Sequence, residues 1–338
     1  MKKRIIASAL TLTMLFVSSI SALAAESGTN NTEDYAFGVA SYQMDTGEVN
    51  VTVENEIALA SVESEAAPYI PDVMPLAEIG MDEATQSQLD KMGLLTEDGE
   101  FDFDAFAELP TLDGNADELV PETVIGTDNR TVVSDTTAEP YRYNCYLAAT
   151  FPDGNTYRGT AFTMGPSIVG TCGHNLYGSD NGGWATSIVI IAARNGSNQP
   201  YGTASGTSLH VGSDWYNSGA QNDDWGMVEL SSELGNTVGY YGMSVRGDSQ
   251  VGKNATITGY PKQVQNYSNS YQMWTHTNSI TKLQNNMYYY TIDTTGGNSG
   301  SAVCDGQYVI GIHAYGSSSN NSGRALDQGL FNFFMQYR

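Results

Sequence analysis

Thr294-Thr295-Gly296-Gly297-Asn298-Ser299-Gly300-Ser301 sets a serine among glycines. Glycine on either side permits backbone angles that other residues resist. Such a turn can aim the amides of Gly297 and Ser299 at one point beside the Ser299 hydroxyl, a place where an oxyanion would be stabilised. A serine hydroxyl is a weak nucleophile until a histidine removes its proton, and that histidine needs a carboxylate to fix its tautomer. The chain has four histidines, His174, His210, His276 and His313. His174 follows the β-branched run Ser167-Ile168-Val169-Gly170-Thr171 in the turn Cys172-Gly173-His174-Asn175, well placed to reach a cleft. Asn222-Asp223-Asp224-Trp225-Gly226-Met227-Val228-Glu229-Leu230 puts an acid at the mouth of an apolar strand, where a buried carboxylate needs a partner. Asp224 is the candidate and Asp223 the alternative. Taken singly, these are also a structural histidine, a strand-capping acid and a glycine-rich turn. Taken together they are a nucleophile, a base and an orienting acid for acyl transfer. The G-x-S-x-G elbow does not fit, because residue 301 is serine. His210 and His276 lie in strand-like runs and read as structural.

Short β-branched or aromatic runs separated by Gly, Asn, Ser and Asp must position these groups. They include Asn144–Phe151, Gly159–Met164, Ile188–Ala193, Gly226–Leu230, Ala255–Gly259, Met287–Ile292 and Tyr308–His313. That spacing predicts an antiparallel barrel or sandwich, and Asp327–Tyr337 a closing helix. Charged residues are 15% of the 338, against roughly 25% in ordinary globular proteins, and Gly, Tyr, Asn, Ser and Thr fill the gap, which argues against a coiled coil or an ordinary helical bundle. The net charge of −24 argues against sequence-independent nucleic-acid binding. The charge is also unevenly placed. Residues 1–25 carry three bases and no acid, 26–122 carry 24 acids and one base, and 123–338 carry 14 acids and 10 bases. Residues 1–24 read as a signal peptide: Lys2-Lys3-Arg4, an apolar run, then Ala22-Leu23-Ala24. An uncleaved anchor is the alternative, though acids rather than stop-transfer bases follow. Residues 25–122 read as an acidic propeptide, with a helical pattern at Asp82–Met92. Aromatics interleaved with acids at 97–106 suggest that it docks rather than floats. Residues 123–338 are the functional domain. Cys145, Cys172 and Cys304 are an odd set, so at least one thiol is unpaired within the chain; a Cys145–Cys304 bridge is left open. No C-x-x-C or H-E-x-x-H pattern occurs, so neither zinc nor another cofactor is expected, and calcium at Asn/Asp loops is left open.

Residues 123–338 resemble a glutamyl endopeptidase of the staphylococcal V8 type, in the bacterial branch of the chymotrypsin-like serine proteases. The stretch 294–301 followed by Val309-Ile310-Gly311-Ile312-His313 carries the resemblance, as do Gly165-Pro166 ahead of Thr171-Cys172-Gly173-His174. Thr123-Val124-Ile125-Gly126-Thr127-Asp128-Asn129-Arg130-Thr131 resembles a mature N-terminus of the Bacillus members. The order His174, Asp224, Ser299 is the chymotrypsin-like one. The resemblance implies an all-β fold of two antiparallel six-stranded β-barrels with a C-terminal helix, and a cleft between the barrels. It implies a monomer secreted by a Gram-positive bacterium as an inactive precursor, with protein or peptide substrates, its own propeptide as partner, and no membrane contact after signal cleavage. It assigns His174, Asp224 and Ser299 to catalysis and the Gly297 and Ser299 amides to the oxyanion hole. Thr294, His313 and the α-amine of Thr123 then bind a Glu, or less readily an Asp, before the scissile bond. Imidazole, hydroxyl and ammonium can replace the hydration a buried carboxylate loses. No Asp or Glu occurs at 294–299 or 311–316 to receive Lys or Arg. Pro121-Glu122 precedes Thr123, so such an enzyme could cut itself there; trimming by another protease is the alternative. The chain departs from the family at Cys172 for the usual Ala, at Asn175 and Gly159 for a cysteine pair, at Asn298 for the Asp of animal relatives, and at Ala302 for a frequent Pro. A different pocket preference on the same triad, or an inactive binding relative, are the other readings.

Overall fold

The computed structural model describes residues 37–54, 64–71, 81–112, 122–264, 267–268 and 272–338; the signal-peptide expectation lies outside them. The acidic segment supplies β1 (Phe37–Gln43), β2 (Val49–Glu54), β3 (Glu65–Ala66), α1 (Glu83–Lys91) and α2 (Phe103–Glu108). After β4 (Thr131–Val132) come β5 (Asn144–Thr150), β6 (Thr156–Thr163) and β7 (Ile168–Thr171). A small hairpin, β8 (Tyr177–Gly178) and β9 (Gly183–Trp184), leads to β10 (Ser187–Ala192), β11 (Thr203–Gly212), α3 (Ser213–Ser218), β12 (Gly226–Leu230) and α4 (Leu234–Val238). The last third holds β13 (Gly242–Ser244), β14 (Asn254–Gly259), the hairpin β15 (Gln263–Val264) and β16 (Tyr267–Ser268), β17 (Trp274–Gln284), β18 (Met287–Tyr290), β19 (Ala302–Asp305), β20 (Tyr308–Gly316), β21 (Asn321–Ala325) and α5 (Gln328–Met335).

Two six-stranded antiparallel barrels result. The first runs β10-β5-β6-β7-β12-β11 and closes through β10–β11; the second runs β19-β14-β17-β18-β21-β20 and closes through β19–β20. The expected fold class is the observed one, and the strand-like runs fall on β5, β6, β10, β12, β14, β18 and β20. Strands buried on both faces need not alternate, which is why Ser187–Ala192 reads as a continuous apolar run. The closing helix α5 is capped by Asp327, whose side chain accepts from the Leu330 amide, and buries Leu330, Phe331, Phe333 and Phe334. Phe333 packs on Trp225 at 5.3 Å between ring centroids. Burying such a ring stabilises by about 2–3 kcal/mol, and here it anchors the start of β12, next to Asp224.

Residues 36–338 form one unit, so the acidic segment packs with the barrels. β1 pairs with β11 from Val39↔Gly212 to Gln43↔Ser208, along the edge that β10 leaves free beyond Ser205. Phe37 stacks on Trp225 at 5.6 Å. Asp82 caps α1 by accepting from the Thr85 amide, and Asp102 caps α2 likewise from Ala105. Leu89, Met92, Leu94, Phe106 and Leu109 then bury against Tyr146, Val189, Ile191 and Tyr260. Arg194 lies over both Phe106 and Tyr146, at 4.9 and 4.5 Å from the ring centroids. Cys145, Cys172 and Cys304 are all free and buried, so the bridge left open above does not form. No helix among the described residues is long and apolar enough to cross a membrane.

Candidate active site

β7 delivers His174 in a tight turn. The His174 amide donates to Asp224 Oδ1 at 2.8 Å, and Nδ1 lies 2.7 Å from Asp224 Oδ2. Gly173 makes this approach possible, since a Cβ there would meet Asp224 Oδ1 at 2.9 Å. Asp224 is wholly buried at the head of β12 and also accepts from the Tyr315 hydroxyl. Asp223, the alternative acid, turns elsewhere: it accepts from the Asp214 amide and the Trp225 indole, and burial pushes it up to about 6. The carboxylate on His174 is therefore Asp224. Burial pulls the His174 imidazole down, but Cys172 and Asp224 beside it hold it well above its ordinary value. Cys172 Sγ is 3.3 Å from His174 Nε2.

Ser299 sits in a turn that needs glycine at Gly297 (φ 101°) and Gly300 (φ 88°). A Cβ on Gly300 would come within 2.1 Å of the Thr160 carbonyl. The turn belongs to the second barrel but is tied to the first, because the Ser299 carbonyl accepts from the Thr160 amide and from Asn175 Nδ2. Asn175 thus stitches the serine loop to the residue following His174. The amides of Asn298, Gly300 and Ser301 donate to Thr295, His313 and Asn298 carbonyls. Those of Gly297 and Ser299 make no hydrogen bond among the described residues, which leaves both free for an oxyanion.

The Ser299 hydroxyl does not donate to His174. It donates to Glu122 Oε1 at 2.6 Å. The same oxygen is 3.3 Å from His313 Nε2, and His313 is fully buried. His313 Nε2, Thr294 Oγ1 and Glu122 Oε2 are buried without hydrogen-bond partners, so the His313–Glu122 approach is a close contact with donors still to be satisfied. Thr123 is held by Asn321, whose Oδ1 accepts from the Thr123 amide at 3.0 Å and whose Nδ2 donates to the Thr123 carbonyl at 2.7 Å. The Thr294 amide donates to that carbonyl as well. Asp293 accepts from the Ile125 and Asn129 amides, and its own amide donates to His276 Nδ1. His276 is lowered by burial, in keeping with an acceptor nitrogen. His210 bridges Ser41 on β1 and Glu229 on β12. Both histidines are structural.

Of the residues singled out from sequence, the structure brings His174 to Asp224, Ser299 and His313 to Glu122, and Thr294 to Thr123. Tyr315, Asn321 and Tyr290, which the sequence reading did not single out, reach Asp224, Thr123 and His313. One cluster among the described residues has metal-donor spacing, Cys172, His174 and Asp224. Both Asp224 oxygens are already taken by donors of His174 and Tyr315, so an ion would have to displace them.

The sequence pattern of the trypsin family matches residues 132–333. An extracellular metalloprotease of Bacillus subtilis is 39% identical over 228 residues, 65% of this chain and 71% of that protein. A glutamyl endopeptidase of Bacillus licheniformis is 36% identical over 222 residues, covering 62% and 67%. One of Staphylococcus aureus is 28% identical over 224 residues, covering 63% and 58%. Among solved structures, a Glu endopeptidase in complex with MPD superposes with a TM-score of 0.57 at 32% identity, over 63% of this chain and 98% of that one. The protease Anisep of Arthrobacter nicotinovorans shares the fold, with a TM-score of 0.51 at 19% identity, over 61% and 97%. The chain belongs to the trypsin family and is a serine endopeptidase of its V8-type, chymotrypsin-like branch.

Proposed function

We propose that the chain is a secreted endopeptidase that cleaves after Glu, and less readily after Asp. It is made with a signal peptide (1–24) and a propeptide (25–122) ahead of the protease domain (123–338). One observation carries the acid preference: the chain's own Glu122 carboxylate lies buried between Ser299 Oγ and His313 Nε2. A carboxylate accepted there without a cationic side chain needs donors that replace its water.

In the mature enzyme His174 takes the Ser299 proton as the hydroxyl attacks the backbone carbonyl of the pocketed Glu. Asp224 holds the imidazole in the tautomer that can accept and stabilises the imidazolium formed. The free Gly297 and Ser299 amides receive the oxyanion. His174 then protonates the leaving amine, and water hydrolyses the acyl-enzyme by the same steps in reverse. A cut after Glu122 removes that side chain from the pocket. It also creates an α-amine on Thr123, beside Asn321 and Thr294, where it can carry charge near neutral pH.

The test is a purified precursor given peptides that differ only in the residue before the cut: Glu, Asp, Gln, Lys or Phe. Glu should be preferred, and Ser299→Ala should be silent. The active chain should begin at Thr123, and a chelator should leave the rate unchanged. Preference for Lys or Phe would overturn the pocket, and a loss with the chelator that calcium alone does not restore would overturn the metal-free reaction. A fully active chain starting elsewhere would overturn the role of Thr123.

A further inference from the structure

His313 can meet a carboxylate in two ways. A neutral imidazole carries one proton, and a proton on Nδ1 would turn a bare lone pair toward the acid. Tyr290, the last residue of β18, decides between them. Its hydroxyl oxygen is 2.6 Å from His313 Nδ1, and both side chains are fully buried. That contact is the one hydrogen bond of the Tyr290 hydroxyl among the described residues. Burial, with the Glu122 charge adding to it, raises the phenol well above its ordinary value, so the O–H keeps its proton. A buried hydroxyl proton left without an acceptor loses its hydration with nothing in return. The acceptor in reach is the Nδ1 lone pair, which places the imidazole proton on Nε2, the atom 3.3 Å from Glu122 Oε1.

The backbone fixes this geometry. His313 on β20 faces Gly323 on β21, and Tyr290 faces Asn321 on the same strand. A Cβ on Gly323 would come within 2.1 Å of the Ile312 carbonyl and 2.8 Å of His313 Cα, so the strands cannot be packed this closely with any other residue. Tyr288, two residues before Tyr290 on β18, is also buried, and its hydroxyl donates to the Gly247 carbonyl.

We propose that Tyr290 is a positioning residue for acid recognition: by donating to His313 Nδ1 it locks the Nε2–H tautomer, so that a neutral imidazole presents a donor to the substrate carboxylate. This rests on the reading of His313 as a wall of the Glu pocket. Tyr290 touches neither substrate nor the reacting atoms. Its loss should weaken Glu binding without slowing the chemical step.

The experiment compares the mature chain with Tyr290→Phe, which keeps the ring and removes the hydroxyl. Paired peptides carry Glu or Gln before the cut, and the ring nitrogens of His313 are followed by nitrogen-15 NMR. In the parent His313 should show the Nε2–H tautomer, and in Tyr290→Phe a mixture. The Glu-over-Gln preference should fall about tenfold, the scale of one hydrogen bond to a charged group. The fall should appear as a raised KM for the Glu peptide, with kcat and the Gln peptide little changed. An unchanged preference in Tyr290→Phe, or an Nδ1–H tautomer in the parent, overturns the proposal; the parent spectrum serves even if the variant does not fold. A parent with no Glu preference overturns the pocket reading instead.

Discussion

At the scale of single residues, the charge state of His174 sets the working pH. Burial lowers the imidazole, yet Cys172 and Asp224 carry it well above its ordinary value. A general base acts only when neutral, so kcat/KM should rise with pH through a pKa above the ordinary imidazole value of about 6.5. Asp224→Asn should move that limb to lower pH and reduce kcat by about 10⁴-fold. A parent limb at or below the ordinary value would contradict the assignment. His174, Asp224 and Ser299 were readable because few residue types do this chemistry and the chain has only four histidines. Tyr290, Tyr315 and Asn321 were not, because their contribution is a direction, not a type. With 21 tyrosines in the chain, no local pattern marks the two whose hydroxyls reach His313 and Asp224.

Among the elements, β21 is the clearest case of structure imposed from outside. Asn321-Ser322-Gly323-Arg324-Ala325 has no strand signature, but every residue is buried between β18 and β20. Its neighbours supply the ladder, and the Arg324 terminal nitrogens donate to Asp327 and the Ala325 carbonyl while its Nε is left without a partner. By contrast β12, an apolar run after an acid, and α5, an aspartate followed by clustered phenylalanines, could be placed from local sequence alone. The two barrels could not, because the long polar strands β11 and β17, one in each barrel, carry no alternating apolar pattern. Gly323→Ala tests how tightly β21 is held. It should cost about 1–3 kcal/mol in urea unfolding, the usual range for an added methyl with no space. A neutral result would mean that the strands can part there.

Over the whole molecule, charge and apolar contact divide the work. The acidic segment holds 24 of the 38 acids, yet it meets the barrels through β1, Phe37, Phe106 and a cap of leucines and methionines. Among the described residues, Asp82 and Asp102 cap its two helices and Glu65 pairs with Arg246. Sequence reasoning could mark this segment as something that docks, from aromatics among acids. The pairing of β1 with β11 was hidden, because Phe37–Gln43 carries no partner in its own pattern. Nor did any local pattern show that residue 122 would close the pocket that residue 313 lines.

That closure bears on the time course of activation. While the Ser299 hydroxyl is bonded to the Glu122 side chain, it is not directed at the Glu122 carbonyl, and His174 Nε2 is in contact with Cys172. On the proposed maturation after Glu122, a precursor is therefore cut by a second molecule whose pocket has already been emptied. Activation should be bimolecular: a lag that shortens as precursor is concentrated, that a trace of mature enzyme abolishes, and that lengthens without limit on dilution. A first-order lag, the same at every concentration, would mean that the serine can leave the carboxylate and reach its own chain.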